Sequence, residues 1–112
     1  MEKHESSAAA VSAFEGLGAD LAQAGVVQGK MFGASSLMLE KKAIACLNGD
    51  RVVFKLGRDT DHHARALALP GAVLFDPSGM KRPFKDWVEV PLESAAEWPA
   101  LAEAALAFVA GG

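Results

Sequence analysis

One cysteine in 112 residues removes two classes of architecture at once. Cys46 has no second thiol with which to close an intrachain disulfide, and no cysteine cluster exists to hold a structural metal. Long apolar runs are missing too: the stretch from Ser94 to the end is interrupted by Glu97 and Glu103 and dominated by alanine, so no membrane span is indicated. The N-terminal MEKHESSAAAVSAFEG has three acidic residues and lacks a basic start followed by an apolar core. No secretory signal is read there, and a cytoplasmic address is expected. Gly29-Lys30-Met31-Phe32-Gly33 lacks the phosphate-loop pattern, no dinucleotide fingerprint follows a strand, and neither helix-turn-helix nor zinc-finger spacing occurs. No cofactor is expected.

What is present suits one globular domain spanning residues 1–112: the chain is 51% apolar and 22% charged. The net charge of −3 conceals a segregation. Residues 1–29 carry one lysine against four acids, residues 88–112 carry four acids and no Lys or Arg, and residues 30–87 hold ten basic and six acidic residues. A basic centre between acidic ends suits an anionic partner if the cations share a surface, and an ordinary solvated exterior if they do not.

The ends read as helices. From Ser7 to about Ala24, Val11, Phe14, Leu17, Leu21 and Ala24 recur every three or four residues, as a packed stripe does, and Gly25 is a stop. Gly16 and Gly18 lower helix propensity and permit close packing or a bend. Ser94 and Glu97 have capping-box spacing, while Pro99 fits the first position of a helix running to Ala110. Its buried side would carry Trp98, Leu101, Ala105, Phe108 and Val109.

Between these helices the period shortens. Short strands are predicted at Lys30–Gly33, Leu37–Leu39, Lys42–Leu47, Val52–Leu56, Val73–Phe75 and Trp87–Val90, with one or two helical turns over Asp61–Leu69 before Pro70-Gly71. Asn48-Gly49 is a hairpin signal because both residues tolerate positive φ. The expected fold is α+β, a mostly antiparallel sheet of short strands with the N- and C-terminal helices packed on one face.

Met31-Phe32-Gly33, Leu37-Met38-Leu39, the segment KKAIACLNGDRVVFKLG and Trp87-Val88-Glu89-Val90 ahead of a Trp98-containing alanine-rich helix follow one another in a distinctive order. In this order the chain resembles the N-terminal domain of the TfoX/Sxy competence regulators and the related MmcQ/YjbR-like proteins over roughly residues 8 to 110. The resemblance implies a small bacterial domain with a mostly antiparallel sheet. Full-length TfoX proteins carry a further C-terminal domain, so a stand-alone first domain is expected here. The YjbR-like branch has been likened to double-wing DNA-binding folds.

The candidate contact residues are Arg51, Lys55, Lys81, Arg82, Lys85 and Trp87. Strand alternation places Arg51 and Lys55 on the face opposite Val52, Phe54 and Leu56, and Met80-Lys81-Arg82-Pro83-Phe84-Lys85 forms a basic, partly apolar loop within residues 76–86. These residues suit a protein partner or homodimer contact in regulation; nucleic-acid binding through the same face is the alternative. No membrane partner is expected. Trp87 is either an exposed interface anchor or packed against the C-terminal helix. An enzyme reading rests on Asp59, Asp61, His62, His63 and Arg65, the densest ionisable cluster. The adjacent histidines diverge by about 100° on a helix and cannot readily share an ion, and a helix-cap role for Asp59, Thr60 or Asp61 explains the cluster better. Cys46 is read as a small buried apolar group, without a positioned partner for nucleophilic chemistry.

Overall fold

The computed structural model describes residues 6–31, 34–76, 79–80 and 83–111. Helix α1 (Ala8–Leu21) leads into a 3₁₀ turn (Ala22–Ala24) and then β1 (Val26–Met31). Strands β2 (Ala34–Leu39), β3 (Lys42–Asn48) and β4 (Arg51–Lys55) follow, then α2 (Asp61–Leu67), β5 (Val73–Phe75) and β6 (Phe84–Pro91). A 3₁₀ segment (Leu92–Glu97) precedes α3 (Trp98–Gly111). The six strands form one antiparallel sheet in the order β1-β2-β3-β4-β6-β5. The fold is α+β, as expected.

Ser7 starts α1 because its Oγ accepts from the Ala10 N–H at 3.2 Å, satisfying a donor that the first turn leaves free. The same end is tied to the sheet, where Ser6 Oγ donates to the Gly49 carbonyl at 2.6 Å and the Ser7 N–H to Asp50 at 2.7 Å. Ala10, Phe14, Leu17, Gly18 and Leu21 face inward. Gly18 leaves room for that approach, since a Cβ there would stand 3.1 Å from Leu37 Cδ2, a tight contact to which the Leu37 side chain would have to yield. With α1 over β1, α3 over β3 and β4, and α2 beside β6, the helices bury Leu37, Val52, Phe54, Leu56, Val88 and Val90. Removing this apolar area from water holds the layers together.

Several boundaries differ from the sequence reading. The first strand begins at Val26, because Gly25 at φ 97° turns the chain directly from the 3₁₀ turn into the sheet. Phe32 and Gly33 of the expected opening strand lie outside the described residues. Asn48 is still in β3, paired with Arg51, and Gly49 takes the positive φ of the turn. Helix α3 starts at Trp98, one residue before Pro99, whose missing N–H is harmless in a first turn. Ser94 does not build a capping box; it sits inside the 3₁₀ segment at φ −106°, ψ 25°. Phe84 and Lys85, expected in a loop, are the first residues of β6.

A bulge also resets β3. Leu37 pairs with Ala45 and Met38 with Ala43, so Ile44 is an extra residue. Ile44 and the following Ala45 consequently both join the helix-covered core, while Ala43 and Cys46 join a second cluster with Val53, Phe75 and Trp87.

Candidate functional site

The second cluster lies on the sheet face away from the helices, and it alters the meaning of Trp87. The indole is neither an exposed anchor nor packed on α3; it is 8% exposed and covers Cys46 and Val53 together with Phe75. Burial, aided by the charge of Glu89, pushes the Cys46 thiol up to about 12, where a thiolate nucleophile is not available at neutral pH. Lys55 pairs with Trp87 across β4 and β6, and its Nζ stands 5.9 Å from the ring centroid, within cation–π range.

Beside this pair opens a pocket of about 450 Å³ whose walls are Lys55, Arg58 and the β6 start from Pro83 to Trp87. Its geometry is organised by Asp86. The Asp86 carbonyl accepts from the N–H groups of Leu56 at 2.8 Å and Gly57 at 3.1 Å, which continues the sheet past the end of β4. Its carboxylate Oδ1 accepts from the Arg58 N–H at 3.0 Å and from Arg58 Nε at 2.9 Å. One aspartate thereby fixes both the backbone and the side chain of Arg58.

Helix α2 steadies the pocket from behind. Thr60 is the cap among the three residues weighed for that role: its Oγ1 accepts from the His63 N–H at 3.1 Å. His63 is buried, and its Nε2 lies 2.8 Å from the Lys85 carbonyl. A carbonyl can only accept, so Nε2 carries the hydrogen and the imidazole anchors the first turn of α2 to β6. His62 points to a different, exposed environment, and among the described residues no three His, Cys, Asp or Glu side chains gather for a metal.

Three cations, Lys55, Arg58 and Lys85, thus border a pocket that contains one carboxylate. The hydrogen bond from Arg58 holds the Asp86 carboxyl below its ordinary range, against the opposing effect of partial burial, with the Arg58 backbone and charge and the Lys55 charge adding to it. The same hydrogen bond raises the Arg58 guanidinium further. Asp86 engages only the Nε side of that guanidinium, and no described residue accepts from Nη1 or Nη2. Lys55 and Lys85 have no described carboxylate in ion-pair reach. A guanidinium fork flanked by ammonium groups receives an oxyanion well. Among the described residues, no Ser, Cys or His side chain lines the pocket.

No family model, curated protein or solved structure matches this chain. The pocket's chemistry therefore rests on its own geometry.

Of the candidate residues, Lys55, Lys85 and Trp87 come together, and Arg51 separates from them. At the far end of β4, Arg51 Nε is 3.4 Å from Glu89 Oε2 and Nη1 donates to the Gly71 carbonyl at 3.0 Å. Around it lie Asp50, Glu89 and Glu93, so its charge is locally countered. Lys81 and Arg82 lie outside the described residues. Arg58, one of the cations available in the basic centre, and Asp86 are outside the candidate set because strand parity ends at Leu56, where Gly57 releases the chain.

Proposed function

We propose that this chain is a non-enzymatic protein-interaction module that holds an acidic segment of a partner polypeptide against Lys55, Arg58 and Lys85. The observation that carries the reading is the guanidinium fork of Arg58, held by Asp86 in a pocket it shares with two lysines that form no ion pair with a described carboxylate. Fixing the cation in advance reduces the ordering cost of binding. The resemblance to the TfoX/Sxy N-terminal domain accords with a regulatory role exerted through such contacts, in the cytoplasmic setting expected from the sequence. None of the described helices is long and apolar enough to cross a membrane.

Nucleic acid is the second reading, favoured by the same cations. Trp87 is too deeply buried to stack on a base, and Arg51 is diverted to Glu89. The three described cations by themselves support a salt slope no steeper than about −3.

Fluorescence anisotropy with a labelled Glu-rich peptide, a labelled single-stranded oligonucleotide and a labelled duplex tests both readings. The peptide is expected to bind at low salt, to weaken as salt rises, and to lose binding to a Lys55→Ala/Lys85→Ala variant. Failure of the peptide to bind at low salt, or indifference to that variant, overturns the proposal. Tighter oligonucleotide binding that depends on both lysines would assign the surface to nucleic acid instead.

A further inference from the structure

A second concave site, independent of the pocket at Asp86, lies between α2 and α3. It has a volume of about 190 Å³ and a mostly apolar floor that includes Ala66, Leu69 and Leu101. That space corresponds to about six water volumes, room for one small organic molecule. His62 and Arg65, one helical turn apart on α2, line it together with Glu97, the residue immediately before α3. The placement of His62 follows from its neighbour: with His63 turned inward to the Lys85 carbonyl, His62 faces out toward the cleft.

Arg65 and Glu97 are both exposed, and neither forms an ion pair with a described residue. The cleft therefore offers an unpaired cation and an unpaired anion around an apolar floor. The complement of that arrangement is a zwitterion with a hydrocarbon body. We propose that the α2–α3 cleft binds a free aliphatic α-amino acid. Its carboxylate meets the Arg65 guanidinium and a His62 ring N–H, its ammonium meets Glu97, and its side chain lies on Leu69 and Leu101. Charge-assisted hydrogen bonds at both ends fix the orientation, and burial of the aliphatic chain supplies the apolar contribution. No bond is made or broken.

Amide NMR of the full chain titrated with L-leucine tests the assignment. Saturable shifts are expected in α2, in residues 92–97 and in the first turns of α3, while the amides of Lys55, Arg58 and Lys85 stay in place. Arg65→Gln and Glu97→Gln, both at exposed positions, should each weaken binding roughly tenfold, the effect of losing one charged hydrogen-bond partner. Their unchanged spectra elsewhere would verify the fold. 4-Methylpentanoate, lacking the amine, and 3-methylbutylamine, lacking the carboxylate, should bind weaker than leucine by a similar factor. Absence of localised shifts up to the solubility limit of leucine, shifts insensitive to both variants, or equal binding of either single-charge analogue would overturn the proposal.

Discussion

Gly57 and Phe108 meet with no room for a side chain between them. A Cβ on Gly57 would stand 2.7 Å from Cζ and 2.8 Å from Cδ1 of the Phe108 ring, and Gly57 itself has φ +85°. The chain can leave β4 for Arg58 and still lie under α3 because this residue has neither a Cβ nor a preference for negative φ. Gly57→Ala should destabilise the protein by about 2–4 kcal/mol, combining left-handed strain with overpacking. Urea unfolding measures it. Phe108→Ala in the same chain should relieve the clash but not the strain, so the two changes will be non-additive; strict additivity would disprove the contact.

The β2–β3 turn carries a cost of a related kind. Glu40 at φ 51° and Lys41 at φ 73° both occupy the left-handed region, as a two-residue hairpin turn of mirror type requires, although neither is glycine or asparagine. Both side chains are exposed, so replacing them loses no packing. Glu40→Asn with Lys41→Gly should raise stability by about 1 kcal/mol and the melting temperature by about 4–8 °C. A lower melting temperature would show that the turn is not strained.

Asp86 links stability to acid. Its folded pKa lies below the ordinary value, chiefly through the hydrogen bond from Arg58, so more protons are bound by the unfolded state and stability rises with pH across this window. The contribution is fully present above the ordinary aspartate range and disappears as pH falls through the lowered folded value. Thermal melts from neutral pH down through that range should show a steeper decline for the native protein than for Asp86→Asn. Parallel curves would remove Asp86 from the acid response.

His63 joins α2 to β6 through a partly buried hydrogen bond to the Lys85 carbonyl. His63→Ala leaves that carbonyl without its donor and opens space beside Ala66, costing about 1–3 kcal/mol. Hydrogen exchange should quicken at the Leu56 and Gly57 amides, which bond to the adjacent Asp86 carbonyl. Unchanged exchange there would mean that the pocket is held without α2.

Cys46, with its thiol pushed up to about 12 and its side chain 1% exposed, should not react with a disulfide reagent at pH near 8 while the protein is folded. Urea should release one reactive thiol per chain. Rapid modification without denaturant would contradict its place beneath Trp87.

The pattern of apolar residues was sufficient for the existence and type of the main elements. Phe14, Leu17 and Leu21 carry a helical period, Val52, Phe54 and Leu56 a strand period, and each signal is local because side-chain direction follows backbone geometry within a few residues. Element ends were less legible. Neither the extension of β6 back to Phe84 nor the early start of β1 at Val26 has a periodic marker, since pairing with β5 and β2 makes them strands.

The candidate site was legible in its ingredients but not in its membership. Arg51 and Lys55 share a strand face, yet one is drawn to Glu89 and Gly71 while the other rests over Trp87. Arg58 acquires its role from Asp86, 28 residues away. Likewise the bulge at Ile44, set by pairing with β2, decides that Cys46 faces away from the helices.

The sequence by itself thus determined an α+β chain with two terminal amphipathic helices and a buried strand face, because periodicity is a property of neighbouring residues. Only the tertiary structure decided which cations converge and which aromatic is covered. Those outcomes depend on hydrogen bonds and strand registers between distant segments, whose partners become neighbours only when the sheet closes.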